Sequence, residues 1–120
     1  MNKKTLIIGA SVNPERYSNK AVKSLIKNGF PVCAIGLKEG KIENIDIIVG
    51  KPDIKDIHTV SMYISIKHQP DYYDYIISLK PKRIIFNPGT ENEFFYNMAQ
   101  KNNIECIEAC TLVLLSTKQF

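Results

Sequence analysis

No stretch of this 120-residue sequence approaches the ~20 consecutive apolar residues that a membrane-spanning helix requires, so no such helix is expected. The start, Met1-Asn2-Lys3-Lys4, has the basic character of an export signal. The apolar run Leu6-Ile7-Ile8 stops at Gly9, however, and is too short for the core of one. Cysteine is scarce. Cys33, Cys106 and Cys110 make an odd number in a chain without an export signal, which predicts reduced thiols of a cytoplasmic protein rather than a disulfide framework. Cys106 and Cys110 with a histidine match no common zinc spacing, so no metal site is expected. No Ser-His-Asp or paired-carboxylate arrangement can be assigned. The two histidines, His58 and His68, fall at the start of a strand and in a loop, and both read as surface residues. Repeats, low-complexity tracts and linkers are also missing. Residues 1–120 are expected to form one domain.

What is present describes an ordinary globular chain: 44% hydrophobic and 23% charged residues, long enough to bury a core without disulfides or metal. The net charge of +4 suits an anionic ligand. It is too small and too dispersed to predict nucleic-acid binding, and single lysines such as Lys3, Lys4, Lys23 and Lys27 read as solvated surface.

Short β-branched runs alternate with longer amphipathic ones. This pattern predicts an α/β fold: a Rossmann-like, three-layer arrangement around a mainly parallel, doubly wound sheet of about five strands. Thr5 to Ile8 is continuously apolar, as a strand covered on both faces would be. A helix is expected from an N-cap at Ser18 to about Asn28, with Ala21, Val22, Leu25 and Ile26 on one face. Val32 to Ile35 is the second strand. Residues 36–56 are too few for a full crossover helix and strand, and predict a loop with a short strand near Ile47-Ile48-Val49. A strand over 57–64, a helix over 69–79 stopped by Pro81, a strand at 83–86, a helix over 91–102 and a strand at 104–107 follow. The run 112–115 fits either a short helix or a strand.

In such sheets ligands bind beyond the carboxyl ends of the strands, near the point where strand order reverses. The segment from Gly9 to Ala21 supplies a small-residue turn, a polar loop and a helix start there. Gly9, Ala10 and Ser11 permit close approach of a ligand to the backbone, and the helix start is a natural anion site. Arg16 can grip a phosphate in bidentate fashion, with Ser11, Ser18 and Asn19 adding hydrogen bonds. The same residues also suit a plain strand–helix turn without a nucleotide. Of the dinucleotide fingerprint only Gly9 is present, which argues against an ordinary NAD site. After the second strand, Ile35-Gly36-Leu37-Lys38 places a cation where NAD-binding domains carry an acid. A lysine there fits coenzyme A or NADP, with an extra ribose phosphate, or is simply solvated. In Phe86-Asn87-Pro88-Gly89-Thr90-Glu91-Asn92, Asn87 and Thr90 either meet a ligand or build the turn. Thr90 with Glu93 has the spacing of a capping box.

These three motifs together resemble the CoA-binding protein family, single-domain relatives of the CoA-binding domain in the alpha subunit of succinyl-CoA synthetase. The resemblance runs through Ala109-Cys110-Thr111 and implies a Rossmann-like fold binding coenzyme A at the carboxyl edge of its sheet. By position it implies that Gly9, Ala10, Ser11, Asn13, Arg16, Tyr17 and Ser18 line the phosphate region, and that Lys38 is a ligand-binding lysine. Gly36, Asn87, Pro88 and Gly89 complete the candidate set. Many relatives carry Trp-x-Gln where this chain has Phe86-Asn87-Pro88. The implied function is binding of coenzyme A or an acyl-CoA without catalysis, since the phosphohistidine and nucleotide-binding parts of the synthetase lie outside this domain. A homodimer or association with an acyl-CoA ligase is open to such a module. An NADP-binding oxidoreductase subunit and a ligand-free interaction protein are the alternatives. Cys110 is either a partly buried free thiol or a partner for a mixed disulfide with the CoA thiol.

Overall fold

A computed structural model describes residues 3–120; Met1 and Asn2, half of the basic start considered above, lie outside the described residues. The sheet is built around β1 (Thr5–Ala10), with β2 (Val32–Gly36) parallel on one side and β5 (Thr59–Met62) parallel on the other. Beyond β5 lie β6 (Arg83–Phe86) and β7 (Glu105–Glu108), both parallel. Beyond β2 lies a hairpin of β3 (Gly40–Ile42) and β4 (Ile45–Ile48), of which β4 pairs parallel with β2. The full order is β3-β4-β2-β1-β5-β6-β7.

The α/β class and the parallel sheet are as expected, but there are seven strands rather than about five. The extra pairing comes from 40–48, where the sequence suggests only a single strand near Ile47. Ile42 and Ile47 are buried there, Glu43 adopts φ of +54° in the turn, and Lys41 and Asp46 pair at 3.2 Å across the hairpin. Both strands are so short that their alternation barely registers in the sequence.

The continuous apolar runs have their cause in burial on both faces. Ile7, Ala34, Ile47 and Ile85 point toward α1 (Tyr17–Lys27) and α4 (Thr111–Ser116), where Ala21, Val22, Leu25 and Leu115 meet them. Leu6, Ile8, Ile35, Val60, Met62 and Phe86 face the opposite layer. That layer consists of α2 (Tyr73–Leu79) and α3 (Glu93–Lys101), which bury Ile76, Phe95 and Ala99. The ambiguous run near 112–115 is therefore helix. The chain between β4 and β5 crosses the second face without a helix. This strap is held by Ile54 and Ile57 against the core and by the Tyr75 hydroxyl, which donates to the Pro52 carbonyl at 2.6 Å.

Two expected helix caps are replaced by others. Helix α1 begins before Ser18, because Asn13 organises the loop upstream: its Oδ1 accepts from the Glu15 N–H and its carbonyl from the Arg16 N–H. Arg16 is the N-cap, no side chain caps the first turn, and Ser18 is buried within it. In α3 the cap is Asn92, whose Oδ1 accepts from the Phe95 N–H at 3.0 Å. Thr90 lies two residues upstream of that cap, and its hydroxyl closes the preceding turn by donating to the Asn87 carbonyl at 2.8 Å. The expected helix over 69–79 splits into a 3-10 turn, Gln69–Tyr72, and α2.

Among the described residues no helix is long and apolar enough to cross a membrane, and Cys33, Cys106 and Cys110 are free thiols. Burial raises the pKa of Cys33, against the pull of Lys4, and pushes that of Cys106 up to about 11.

Candidate functional site

Strand order reverses between β1 and β5, and a cleft opens beyond their carboxyl ends. Its volume is about 490 Å³. The β1–α1 loop contributes Gly9, Ala10, Ser11 and Arg16, the turn after β2 contributes Leu37 and Lys38, and the segment after β5 contributes Tyr63, Ile64, Ser65 and His68. A second hollow of about 300 Å³ shares Gly9, Leu37, Ile64 and His68 with the first, and adds Gly36, Gly50, Lys51, Asp71 and Tyr72. The two form one elongated groove along the sheet edge.

The glycines shape it by what they leave out. At Gly9, φ is +103°, and a Cβ would lie 2.8 Å from the Tyr63 carbonyl carbon and 2.9 Å from Ile64 Cγ2. At Gly36 a Cβ would collide with the Ala10 carbonyl oxygen, which the irregular register of β1 between Ile8 and Ala10 brings close. Both positions let neighbouring main chain pass at the strand ends; only main chain is left there to border the groove. Ser11 is fixed by Asn19, whose Nδ2 donates to its carbonyl at 2.9 Å, and the Ser11 Oγ accepts from the Asn13 N–H at 3.1 Å.

Arg16 and Lys38 come from different crossovers, 22 residues apart in sequence, and converge on the larger part of the groove. The one ion pair among the described residues joins Lys41 to Asp46, so no carboxylate neutralises either cation. Lys51 borders the smaller part, with its ammonium 5.8 Å from the Tyr72 ring centroid. Burial pushes the pKa of the Tyr63 phenol up to about 12.

The other sequence-derived candidates are placed differently. Asn13 is exposed and builds the loop, and Tyr17, 68% exposed, has the Lys20 ammonium over its ring. Ser18 is buried beneath the helix start. None of these three lines the groove. Nor do Asn87, Pro88 and Gly89. The Asn87 side chain is buried and fully engaged: Nδ2 donates to Ser61 Oγ and to the Met62 carbonyl, and Oδ1 accepts from the Thr111 N–H, each at 2.8 Å. The Gly89 N–H donates to Glu91 Oε1 at 2.9 Å, and Pro88 is exposed. The third motif therefore ties β5, β6 and α4 together.

Sequence reasoning missed the segment after β5 and the far end of the groove: Ile64, His68, Lys51 and Tyr72. The one available signal was positional, since Gly50-Lys51 comes just past β4 as Leu37-Lys38 comes just past Gly36 at the end of β2. Among the described residues no three His, Cys, Asp or Glu side chains gather as a metal site would require.

Residues 3–116 match the model of a family described as CoA binding domain. A crystal structure of an uncharacterized protein is 43% identical, covers 100% of this chain and 99% of its own, and superposes with a TM-score of 0.97. A hypothetical protein from Pyrococcus horikoshii OT3 is 24% identical, with a TM-score of 0.87 over 97% of this chain and 83% of its own. The structure of cell-free ID.343 from Thermus thermophilus is 15% identical, with a TM-score of 0.86 over 99% of this chain and 91% of its own. The last two show the shared fold alone. No curated protein matches the chain.

Proposed function

The chain belongs to the CoA binding domain family, and from that premise we propose that it binds coenzyme A or an acyl-CoA in the groove at the carboxyl edge of its sheet, without catalysing a reaction itself. The observation that carries this reading is the convergence of Arg16 and Lys38, unpaired with any carboxylate, on one cleft at the strand-order switch. A guanidinium can hold a phosphate through two parallel hydrogen bonds, while an ammonium acts as a point charge. In this reading the pair engages the diphosphate and the ribose phosphate. Leu37, Ile64 and Tyr72, around the bare glycine positions, offer a flat apolar slot for the adenine. Asn87 acts by holding the strand ends in place, as its internal bonding supports, while Pro88 and Gly89 shape the turn beside it. We further propose that residues 1–120 work as one cytoplasmic unit that presents the ligand, either to a second copy or to an acyl-CoA ligase.

Titration calorimetry with coenzyme A, dephospho-CoA and NADPH tests the reading. Coenzyme A is expected to bind, and removal of the ribose phosphate to weaken binding about tenfold, the scale of a charge-assisted contact partly screened by water. Lys38→Ala should abolish the difference between the two ligands. Tighter binding of NADPH than of coenzyme A would replace the reading with the NADP alternative, and failure of all three ligands would favour a ligand-free interaction protein.

A further inference from the structure

One further ionisable group is common to both parts of the groove. His68 is exposed and borders both hollows, the one with Arg16 and Lys38 and the one with Lys51 and Asp71. Its mount is firm. The His68 N–H donates to the Ser65 carbonyl at 3.0 Å. The next residue, Gln69, is fully buried: its Nε2 donates to the carbonyls of Ile64 at 3.0 Å and Thr90 at 2.8 Å, and its Oε1 accepts from Asn92 Nδ2 at 2.8 Å. The imidazole therefore leaves a rigid corner of the 3-10 turn and needs no rearrangement of the backbone to present itself to a ligand.

We propose that His68 is a third cationic contact to the phosphates of the bound ligand and makes affinity rise as pH falls through the histidine range. This rests on the coenzyme A reading above. The charged and titratable groups around His68 are Arg16 from the β1–α1 loop, Lys38 from the turn after β2 and Lys51 from the segment after β4. Asp71 and Tyr72 come from its own turn, and Tyr63 and Lys67 from the chain just before it. Of these only Asp71 is a carboxylate. It borders the smaller hollow and not the one holding Arg16 and Lys38. A phosphate entering the groove brings negative charge to the imidazole and favours its protonated form. By linkage, the protonated form favours the phosphate equally. Histidine is the side chain whose ordinary titration falls in this interval.

The test is the dissociation constant for coenzyme A at pH 6 and pH 8 in wild-type protein, His68→Gln and His68→Arg. The ionisation of the free ligand's phosphates is common to all three proteins and cancels in their ratios. The Gln variant should match wild type at pH 8 and bind about fivefold more weakly at pH 6, the worth of an exposed charge pair. The Arg variant should keep the tight binding at both pH values. A wild-type to Gln ratio that does not change with pH overturns the role of His68 while leaving the coenzyme A reading intact. Absence of coenzyme A binding to wild type at both pH values overturns that reading and the inference together. Because His68 is exposed, neither substitution disturbs the core, and equal melting temperatures of the three unliganded proteins confirm this.

Discussion

At the scale of single residues, two of the candidates named from sequence act through the fold. Asn87 sits in an Asn-Pro-Gly turn, which the sequence displays openly. Its partners Ser61 and Thr111 lie 26 and 24 residues away, and no local pattern announces them. Asn87→Ala leaves buried donors and acceptors without partners, at about 1–3 kcal/mol for each. We expect a urea midpoint lowered accordingly, with the affinity of the remaining folded protein for coenzyme A unchanged. A selective loss of affinity would return Asn87 to the binding set. Gly9→Ala meets both a positive φ and the main chain of Tyr63, so it should lose about 2 kcal/mol or more by the same measurement. The glycine itself was legible as a turn residue, whereas the segment crowding it, 54 positions later, was not. Lys38 was legible because a cation at that strand end contradicts the acid expected of an NAD site, and Arg16 because it stands at a helix start suited to an anion.

At the scale of elements, the apolar face of α1 and the buried strands followed directly from periodicity, since burial on both faces leaves an uninterrupted apolar run. The hairpin of β3 and β4 did not, because strands of three and four residues give alternation too little length to show. Capping was misread for a related reason. Several Ser, Thr and Asn residues compete near each helix start, and tertiary bonds decide which is free to cap. The strap joining β4 to β5 depends on the Tyr75 hydroxyl, whose pKa burial pushes up to about 12. Tyr75→Phe removes one hydrogen bond, worth about 1 kcal/mol. Hydrogen exchange should reveal faster opening of residues 49–58 and little change in β1 or β6. Uniform acceleration across the sheet would mean that the strap and the core open as one unit.

At the scale of the whole molecule, stability responds to pH at the end of the sheet opposite the groove. His58 Nδ1 lies 2.7 Å from Thr59 Oγ1, which also accepts from Arg83 Nε at 2.8 Å. A proton on Nδ1 would deprive the buried Thr59 hydroxyl of this acceptor for its own hydrogen. Burial lowers the His58 pKa from 6.5, and Arg83, Lys3 and Lys82 lower it further. The folded state thus gives up this proton more readily than the unfolded chain does. The stability conferred by neutral His58 is complete above the unfolded value near 6.5 and is lost as pH drops through the lowered folded value. Melting temperature should therefore fall on acidification from about pH 7 toward pH 5, less steeply in His58→Gln. An identical slope in the variant would assign the acid sensitivity elsewhere. Ligand affinity should also weaken with added salt, because the groove's cations are exposed to a medium whose screening length is about 8 Å at physiological ionic strength.

The glycines along the groove have a consequence for how ligand choice can change. Where peptide units rather than side chains border a slot, its depth is inherited from the sheet and survives exchange of almost any neighbour. Under the proposed binding mode, Leu37, Ile64 and Tyr72 are the side chains whose replacement would retune preference for one ring system over another, above a main-chain floor that such exchanges leave in place.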